Sequence, residues 1–261
     1  MDWTIAFAGF GVGALVGMTG VGGGSLMTPL LVLLFGFAPT TSVGTDLWFA
    51  AITKLVGAAV HHKRGGIDWQ VLWRLSLGSL PAAVLTLLWL HHSGAERIHQ
   101  GTIVNALGGV ILVTAFAILF KKRALAAARS VSQYMPKWRA LASPSAMTVV
   151  AGTILGVLVT LTSVGGGALG VVMLMLLYPT RMKPAELVGT DIAHAIPLTL
   201  IAGTGHLMLG HVDFALLGQL LLGSIPGVVL GSLGAARAPE TLIRSAIALT
   251  LMLAGGKLLA A

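Results

Sequence analysis

Apolar runs of helical length recur along the whole of this 261-residue chain and constrain its fold more than any other feature. Hydrophobic residues make up 56% of the chain and charged residues 9%, so lipid is the expected surrounding. A backbone in lipid must satisfy its own hydrogen bonds, which leaves helices and closed β-barrels as spanning structures. The apolar runs lack the alternation of apolar and polar residues that is typical of barrel strands. We therefore predict an all-α polytopic membrane protein whose ten apolar segments cover residues 3–18, 25–37, 43–61, 69–91, 99–120, 145–161, 167–178, 186–207, 213–235 and 241–260.

The two halves of the chain share motifs in the same order and at nearly constant spacing. Such a series indicates an internal duplication. We expect a first transmembrane repeat at 1–120, a basic linker at 121–144 and a second transmembrane repeat at 145–261. The matched motifs are 19–24 with 162–167, 43–46 with 188–191, His61 with His206, 67–68 with 212–213, and 78–81 with 223–226.

Basic residues predict how the two repeats are oriented. Six of the sixteen Lys and Arg lie between Lys121 and Arg139, which the positive-inside rule explains better than nucleic-acid binding does. With this linker in the cytoplasm, the loop at 38–42 falls outside and its counterpart at 179–185 inside. We therefore predict inverted-topology repeats, an arrangement common in secondary transporters.

The first two apolar segments of each half are shorter than the roughly 20 residues that a full span needs. Each short pair is broken at a glycine motif. Either two tilted spans or one re-entrant hairpin satisfies this pattern, and both leave the chain on the same side of the membrane.

Three consecutive glycines in each motif predict a helix break at membrane depth. Backbone amides after such a break can point their positive dipole ends at an anion. Glycines that merely permit close helix crossing are the alternative. The candidate anion-binding residues of the two motifs are Thr19, Gly20, Gly22, Gly23, Gly24, Ser25, Thr162, Ser163, Gly165, Gly166 and Gly167.

The motif Gly-Met-Thr-Gly-Val-Gly-Gly-Gly at 17–24, together with the paired Val-Gly-Thr-Asp, resembles the TauE/SafE family of membrane permeases. The resemblance covers nearly the whole chain. It implies transport of sulfite, thiosulfate or organosulfonates such as sulfoacetate, without ATP hydrolysis, across the bacterial plasma (inner) membrane. Ser163 stands where the first half has Gly20, so the two halves of the site differ.

Lys54, Asp46 and Asp191 lie within apolar segments, where a charge is costly and points to function. Lys54 suits an anion pathway, and a structural ion pair with Asp46 or Asp191 explains it equally well. Asp46 and Asp191 are candidates for ion coupling or gating, together with Thr45 and Thr190. The alternative is that these Thr-Asp pairs cap helix starts.

His194 follows Asp191 by about one helical turn, so the two side chains could form a proton relay. A structural histidine held by hydrogen bonds is the alternative. The chain has no cysteine and no Walker-type phosphate loop, and we expect neither a metal nor a cofactor.

The leading functional prediction is a secondary transporter of small anions that alternates access around the two glycine breaks. An anion channel built from the same motifs is one alternative. An intramembrane aspartyl hydrolase that uses Asp46 and Asp191 is another. The expected partners are the anion, the lipid bilayer, a proton or another coupling ion, and further copies of the chain, but not nucleic acid.

Overall fold

The computed structural model describes residues 3–19, 24–61, 66–93, 105, 108–117, 119–120, 144–179, 181–234 and 240–260. These residues form α-helices and connecting turns, with no strand among them. The helices are α1 (Trp3–Thr19), α2 (Gly24–Leu33), α3 (Pro39–His61), α4 (Trp69–Ser93), α5 (Gly108–Ala117), α6 (Pro144–Thr162), α7 (Ala168–Leu177), α8 (Pro184–Met208), α9 (Phe214–Gly234) and α10 (Glu240–Ala260).

The all-helical membrane fold predicted from the sequence is confirmed, but two of the predicted loops are too long. The segments 38–42 and 179–185 were expected to be loops, whereas α3 begins at Pro39 and α8 at Pro184. Proline suits the first position of a helix because its missing amide would be unpaired there. At α8 the Lys183 amide also donates to Glu186 Oε2 at 3.3 Å, completing a cap.

Four of the described helices are long and apolar enough to cross a membrane. These are α4, α6, α8 and α9, over Trp69–His92, Ser145–Thr162, Ala185–Met208 and Phe214–Leu233. Their outward faces carry large apolar side chains, such as Trp73 and Leu233, which suit contact with lipid. The chain is therefore an integral membrane protein. The linker segment 121–143 lies outside the described residues.

Helices α6 and α7 form a hairpin that begins and ends on the same side of the bundle. The Tyr178 hydroxyl, just after α7, lies 2.6 Å from the Thr148 hydroxyl near the start of α6. Helix α7 has 10 residues. At 1.5 Å per residue it covers about 15 Å, half of a bilayer core of about 30 Å. The non-helical stretch 163–167 supplies the rest of the return path.

Helices from opposite halves pack in parallel through glycines. In α1, a β-carbon at Gly9, Gly13 or Gly17 would overlap the backbone of Leu220, Ser224 and Val228 of α9, respectively. In the reverse direction, Gly223, Gly227 and Gly231 lie against Ala6, Phe10 and Ala14. Small residues let two backbones approach this closely in a membrane, where apolar attraction between helices is weak.

The equivalent helices of the other pair, α6 and α4, pack in the same way. Gly152 and Gly156 of α6 lie against the backbone of Leu75 and Ser79, and Gly78 lies against Val149. The first helix of each half thus packs on the fourth helix of the other half. Equivalent helices of the two halves thus have equivalent partners, while the inverted orientation of the halves in the bilayer stays a prediction.

Two matched hydrogen bonds join the halves where α4 and α9 begin. Thr45 Oγ1 accepts from the Asp213 amide at 3.0 Å, and Thr190 Oγ1 accepts from the Asp68 amide at 2.9 Å. Each aspartate then caps its helix, since Asp68 Oδ1 accepts from the Val71 amide and Asp213 Oδ1 from the amides of Ala215 and Leu216. We call these two junctions the Asp68 clasp (Thr190, Asp68) and the Asp213 clasp (Thr45, Asp213).

The Asp68 clasp carries an additional ion pair. Arg181 Nη2 lies 2.8 Å from Asp68 Oδ2 and 2.9 Å from Gln70 Oε1. The guanidinium also lies 5.5 Å from the centre of the Tyr178 ring. The loop after α7 is thereby tied to the start of α4, a restraint that the sequence did not indicate.

Asp68→Ala is expected to lower the apparent melting temperature more than Asp213→Ala. Loss of a capping carboxylate costs about 1 kcal/mol in either variant. The Arg181 ion pair is half exposed to solvent and adds at most about 1 kcal/mol to the Asp68 loss. Thermal unfolding of the two purified variants in one detergent provides the measurement. Equal shifts would mean that the Arg181 ion pair contributes nothing.

Candidate functional site

The second glycine motif is a stretch of non-helical backbone between α6 and α7. Ser163 has a φ of 57°, Gly165 of 126° and Gly167 of 130°. The last two values lie in a region that residues with a side chain avoid. We call residues 163–167 the helix break. This backbone path requires glycine at residues 165 and 167. The helix break that the sequence predicted at this motif is therefore present.

The helix break leaves backbone amides available for a ligand. The amides of Gly165, Gly166 and Gly167 donate to no group among the described residues. Helix α7 begins immediately afterwards, so its positive dipole end faces the same space. Unpaired amides at the start of a helix form a natural anion-binding feature.

Lys54 brings the positive charge of the site. Its side chain is only 3% exposed, and Nζ donates to the Gly166 carbonyl at 2.8 Å. Ala195, another neighbour of Gly166, lies at the middle of the 25-residue helix α8. Lys54 therefore lies near half the depth of the bundle, beside the helix break.

The structural ion pair considered for Lys54 is not formed in this structure. Neither Asp46 nor Asp191 comes within ion-pair distance of the Lys54 ammonium. Lys54 still interacts electrostatically with both carboxylates, and more strongly with Asp191 than with Asp46. An ammonium group has three donors, so the bond to Gly166 leaves Lys54 able to bind an anion.

Asp46 is fully buried and is held by the start of α2. Its Oδ2 accepts from the Thr28 hydroxyl at 2.5 Å and from the Thr28 amide at 3.2 Å. Ser163 of the helix break lies beside the same carboxylate. The side chains of Asp46 and Ser163 do not complete a hydrogen bond, so Asp46 Oδ1 and Ser163 Oγ have no partner among the described residues.

Asp191 occupies the equivalent position of α8 but has different surroundings. It is 1% exposed, and neither carboxylate oxygen has a hydrogen-bond partner among the described residues. Oδ1 fills the space in which a side chain at residue 170 would lie. Asp191 therefore rests against the Gly170 backbone without a donor to stabilise its charge.

His194 is tied to α4 rather than to Asp191. Its Nε2 lies 2.7 Å from Ser79 Oγ, and its buried Nδ1 has no partner among the described residues. The structure contains no hydrogen bond between His194 and Asp191, so the predicted relay has no direct link in this state. The remaining ring nitrogen of His194 is available to a ligand or a water molecule.

Thr162 and Ser163 differ in what their hydroxyl groups can offer. Thr162 Oγ1 donates to the Leu158 carbonyl at 2.6 Å and accepts from the Val164 amide at 3.1 Å. Its single hydrogen is therefore used to terminate α6. Only the Ser163 hydroxyl of this pair is available as a donor to an anion.

Most of the first glycine motif, residues 20–23, lies outside the described residues, and this includes the candidates Gly20, Gly22 and Gly23. Thr19 ends α1, Gly24 begins α2 and Ser25 follows within α2. The first motif thus falls between the end of α1 and the start of α2, as the second falls between α6 and α7.

The capping proposed for the Thr-Asp pairs at the starts of their own helices is not present in the structure. Asp46 and Asp191 were thought to lie near the starts of their own helices. Helices α3 and α8 begin at Pro39 and Pro184, about two turns before these carboxylates. Thr45 and Thr190 instead accept from the amides that begin α9 and α4.

Three contact residues of the site were not identified from the sequence: Thr28, Ser79 and Gly170. Ser79 lies in the repeated motif at 78–81, which marked the duplication but suggested no role. Thr28 is the one hydroxyl-bearing residue of α2 after Ser25, and its position within an apolar helix was the available signal. Gly170 gave no signal, because only the fold places it against Asp191.

Gly170→Ala is expected to impair the site, because the new methyl group would overlap the Asp191 carboxylate. The carboxylate must then move or the two helices must separate, at a cost of about 1–3 kcal/mol. Gly218→Ala is the matched control, since residue 218 of α9 has open space around it. Melting temperature and anion uptake of both variants provide the measurement. Wild-type values for Gly170→Ala would mean that Asp191 does not occupy this position.

The residues described in the structure include no group of three or more metal-ligating side chains that could hold an ion. They also contain no hydrogen bond between the carboxylates of Asp46 and Asp191, which a shared catalytic proton would require. The groups that do converge are a buried ammonium, free amides, a hydroxyl and two separate carboxylates. This set can bind a small oxyanion and exchange a proton.

Comparison with known proteins supports a transport role. The profile of the family described as Sulfite exporter TauE/SafE matches residues 5–258. The chain is 41% identical over 220 residues to the probable membrane transporter protein YjnA of Bacillus subtilis, covering 83% of each chain. It is 29% identical over 250 residues to the probable membrane transporter protein YdhB of the same organism, covering 94% of this chain and 95% of that protein.

A similar protein also occurs in an archaeon. The probable membrane transporter protein MJ0441 of Methanocaldococcus jannaschii is 27% identical over 205 residues, covering 76% of this chain and 69% of that protein. No solved structure matches the chain.

Proposed function

The chain belongs to the sulfite exporter TauE/SafE family of membrane transporters, and from this premise we propose that it is a secondary transporter of small sulfur-containing oxyanions. Sulfite, thiosulfate and organosulfonates such as sulfoacetate are the proposed substrates. The proposed location is the bacterial plasma (inner) membrane, with the linker 121–144 in the cytoplasm.

The observation that carries this proposal is the buried Lys54 ammonium beside the unpaired amides of the helix break. A buried cation without an ion-pair partner is costly, and an anionic ligand would offset that cost. Amides of Gly165 and Gly167 and the Ser163 hydroxyl would donate to the remaining oxygens. The first glycine motif would complete the site from the other half.

Alternating access is the proposed mechanism. The two clasps join the halves where α4 and α9 begin, one at each junction. Opening one clasp while the other stays closed would expose the anion to one side at a time. Thr45 and Thr190 are thus proposed as gating residues, with Asp46 and Asp191 setting the charge of the site.

Uptake of radiolabelled sulfite, thiosulfate and sulfoacetate into proteoliposomes that contain only this chain tests the proposal. We expect saturable uptake of at least one anion, inhibited by an excess of the same unlabelled anion. Liposomes without protein control for leakage. Uptake no faster than in those liposomes, for all three anions and with folded protein, would overturn the proposal.

A channel would behave differently in the same preparation. Alternating access predicts that internal unlabelled anion accelerates uptake of external labelled anion, because the loaded site returns faster than the empty site. When the membrane potential is held at zero, a channel passes the labelled anion without such acceleration. The counterflow measurement therefore separates the two mechanisms.

A further inference from the structure

The two buried aspartates occupy equivalent positions of α3 and α8, yet they are stabilised to different degrees. Two donors from Thr28 hold Asp46 Oδ2. No donor among the described residues reaches either oxygen of Asp191. Asp46 and Asp191 therefore differ in hydrogen bonding, although they occupy matching positions of the repeated sequence motif.

The cause of the difference lies in the helices that follow the glycine motifs. In the register of the repeat, Val171 of α7 stands where α2 has Thr28. A valine side chain offers no donor, and Val171 is buried. Gly170 beside it leaves room for the Asp191 carboxylate but offers no side chain to bind it. The carboxylate of Asp191 is therefore accommodated without being fixed.

Lys54 is the charged group that most influences Asp191. The other titratable groups on the elements around it are His194, one turn along α8, Asp46 on α3, which also interacts with Lys54, and Asp68, whose amide donates to Thr190 next to Asp191. Helices α6 and α7 carry no titratable side chain. A buried carboxylate with no donor depends on its counter-charge to remain ionised. The charge state of Asp191 is thus linked to whatever else Lys54 binds.

We propose that Asp191 is the proton-binding residue that couples anion transport to the proton gradient, whereas Asp46 is a fixed structural carboxylate. The inference rests on the proposed transport function and names its coupling ion. When an anion binds, it takes over the charge of Lys54, and Asp191 takes up one proton from water to become a carboxylic acid. Anion and proton then cross together, and release of the anion returns the proton to water.

Proteoliposomes with an imposed pH gradient test this coupling. Radiolabelled thiosulfate, whose charge is constant near neutral pH, is the probe, and pyranine trapped inside reports proton entry. With the outside more acidic by one pH unit, and the membrane potential held at zero by equal potassium concentrations and valinomycin, coupling of one proton adds about tenfold to the accumulation ratio at equilibrium. We expect this accumulation and acidification of the interior for the unmodified chain.

Asp191→Asn is expected to retain thiosulfate counterflow but to lose both the response to the pH gradient and the acidification. Asp46→Asn is expected to respond to the gradient like the unmodified chain, even if its rate is lower. Val171→Thr, which gives Asp191 the donor that Thr28 gives Asp46, keeps the shape of the side chain and is expected to weaken the gradient response. These two variants keep the test informative if Asp191→Asn does not fold.

Three outcomes would overturn the inference. Gradient-driven accumulation by Asp191→Asn would show that another group carries the proton. If Asp46→Asn lost the response to the pH gradient while Val171→Thr kept it, Asp46 would be the proton-binding residue and Asp191 the structural one. Thiosulfate transport by the unmodified chain without proton entry would remove the coupling but leave the transport function standing, whereas failure to carry any anion would remove both.

Discussion

Lys54→Met is expected to abolish anion uptake while leaving a folded protein in the membrane. Methionine keeps the length of the side chain but removes the only cation found beside the helix break among the described residues. Losing a charged hydrogen-bond donor to a buried anion costs about 2–3 kcal/mol, or about 30- to 150-fold in affinity. Initial uptake rates over a range of anion concentrations provide the measurement.

The controls for this variant must separate loss of the charge from loss of the fold. Lys257→Met removes an exposed lysine from the last turn of α10 and is expected to transport like the unmodified chain. The double variant Lys54→Met with Asp191→Asn removes opposite charges together and is expected to fold but to remain inactive. Uptake at the wild-type rate by Lys54→Met would exclude Lys54 from the anion site.

Gly167→Ala is expected to have the second largest effect on transport, because it changes the backbone conformation of the helix break. Gly167 has a φ of 130°, at which a residue with a β-carbon is strained by about 1–3 kcal/mol. The strain would turn the amides at the start of α7 away from the anion. We expect both a lower melting temperature and at least a tenfold loss of transport, since the backbone amides of the first turn of α7 no longer point at the anion.

Gly166→Ala provides the informative contrast to Gly167→Ala. Its φ lies outside the range that requires glycine, and a β-carbon would contact Ala195 Cβ at 3.4 Å and Lys54 Nζ at 3.5 Å. We expect normal thermal stability but weaker anion binding, seen as a raised KM, because the methyl group lies beside the ammonium. Similar melting temperatures and similar KM values for the two variants would contradict this description of the helix break.

The sequence was sufficient to predict the helices because their boundaries carry strong local signals. Apolar runs mark the membrane segments, and the glycine motifs mark the boundary between α1 and α2 and the helix break before α7. The starts of α3 and α8 were placed too late because Pro39 with the polar residues after it, and Pro184 with Ala185, were taken for loops. Both helices begin at these prolines because the first helical position needs no amide donor. At α8 the Glu186 carboxylate also completes the cap.

The site was predictable where a residue is unusual in its own segment. Lys54, Asp46 and Asp191 are charges within apolar runs, and the structure places all three close enough to interact electrostatically through Lys54. The exchange of partners between halves could not be predicted, because Thr45 meets Asp213 only through packing of distant segments. For the same reason, no sequence pattern indicated that Thr28 stabilises Asp46 while Asp191 has no such donor among the described residues.

A small anion is proposed to bind beside Lys54 at the helix break. Equilibrium binding of radiolabelled thiosulfate to the purified chain in detergent, compared with Lys54→Met, tests it most directly. We predict saturable binding to the unmodified chain, displaced by unlabelled thiosulfate, and its loss in Lys54→Met. Equal binding by the two proteins would place the anion elsewhere and contradict the account.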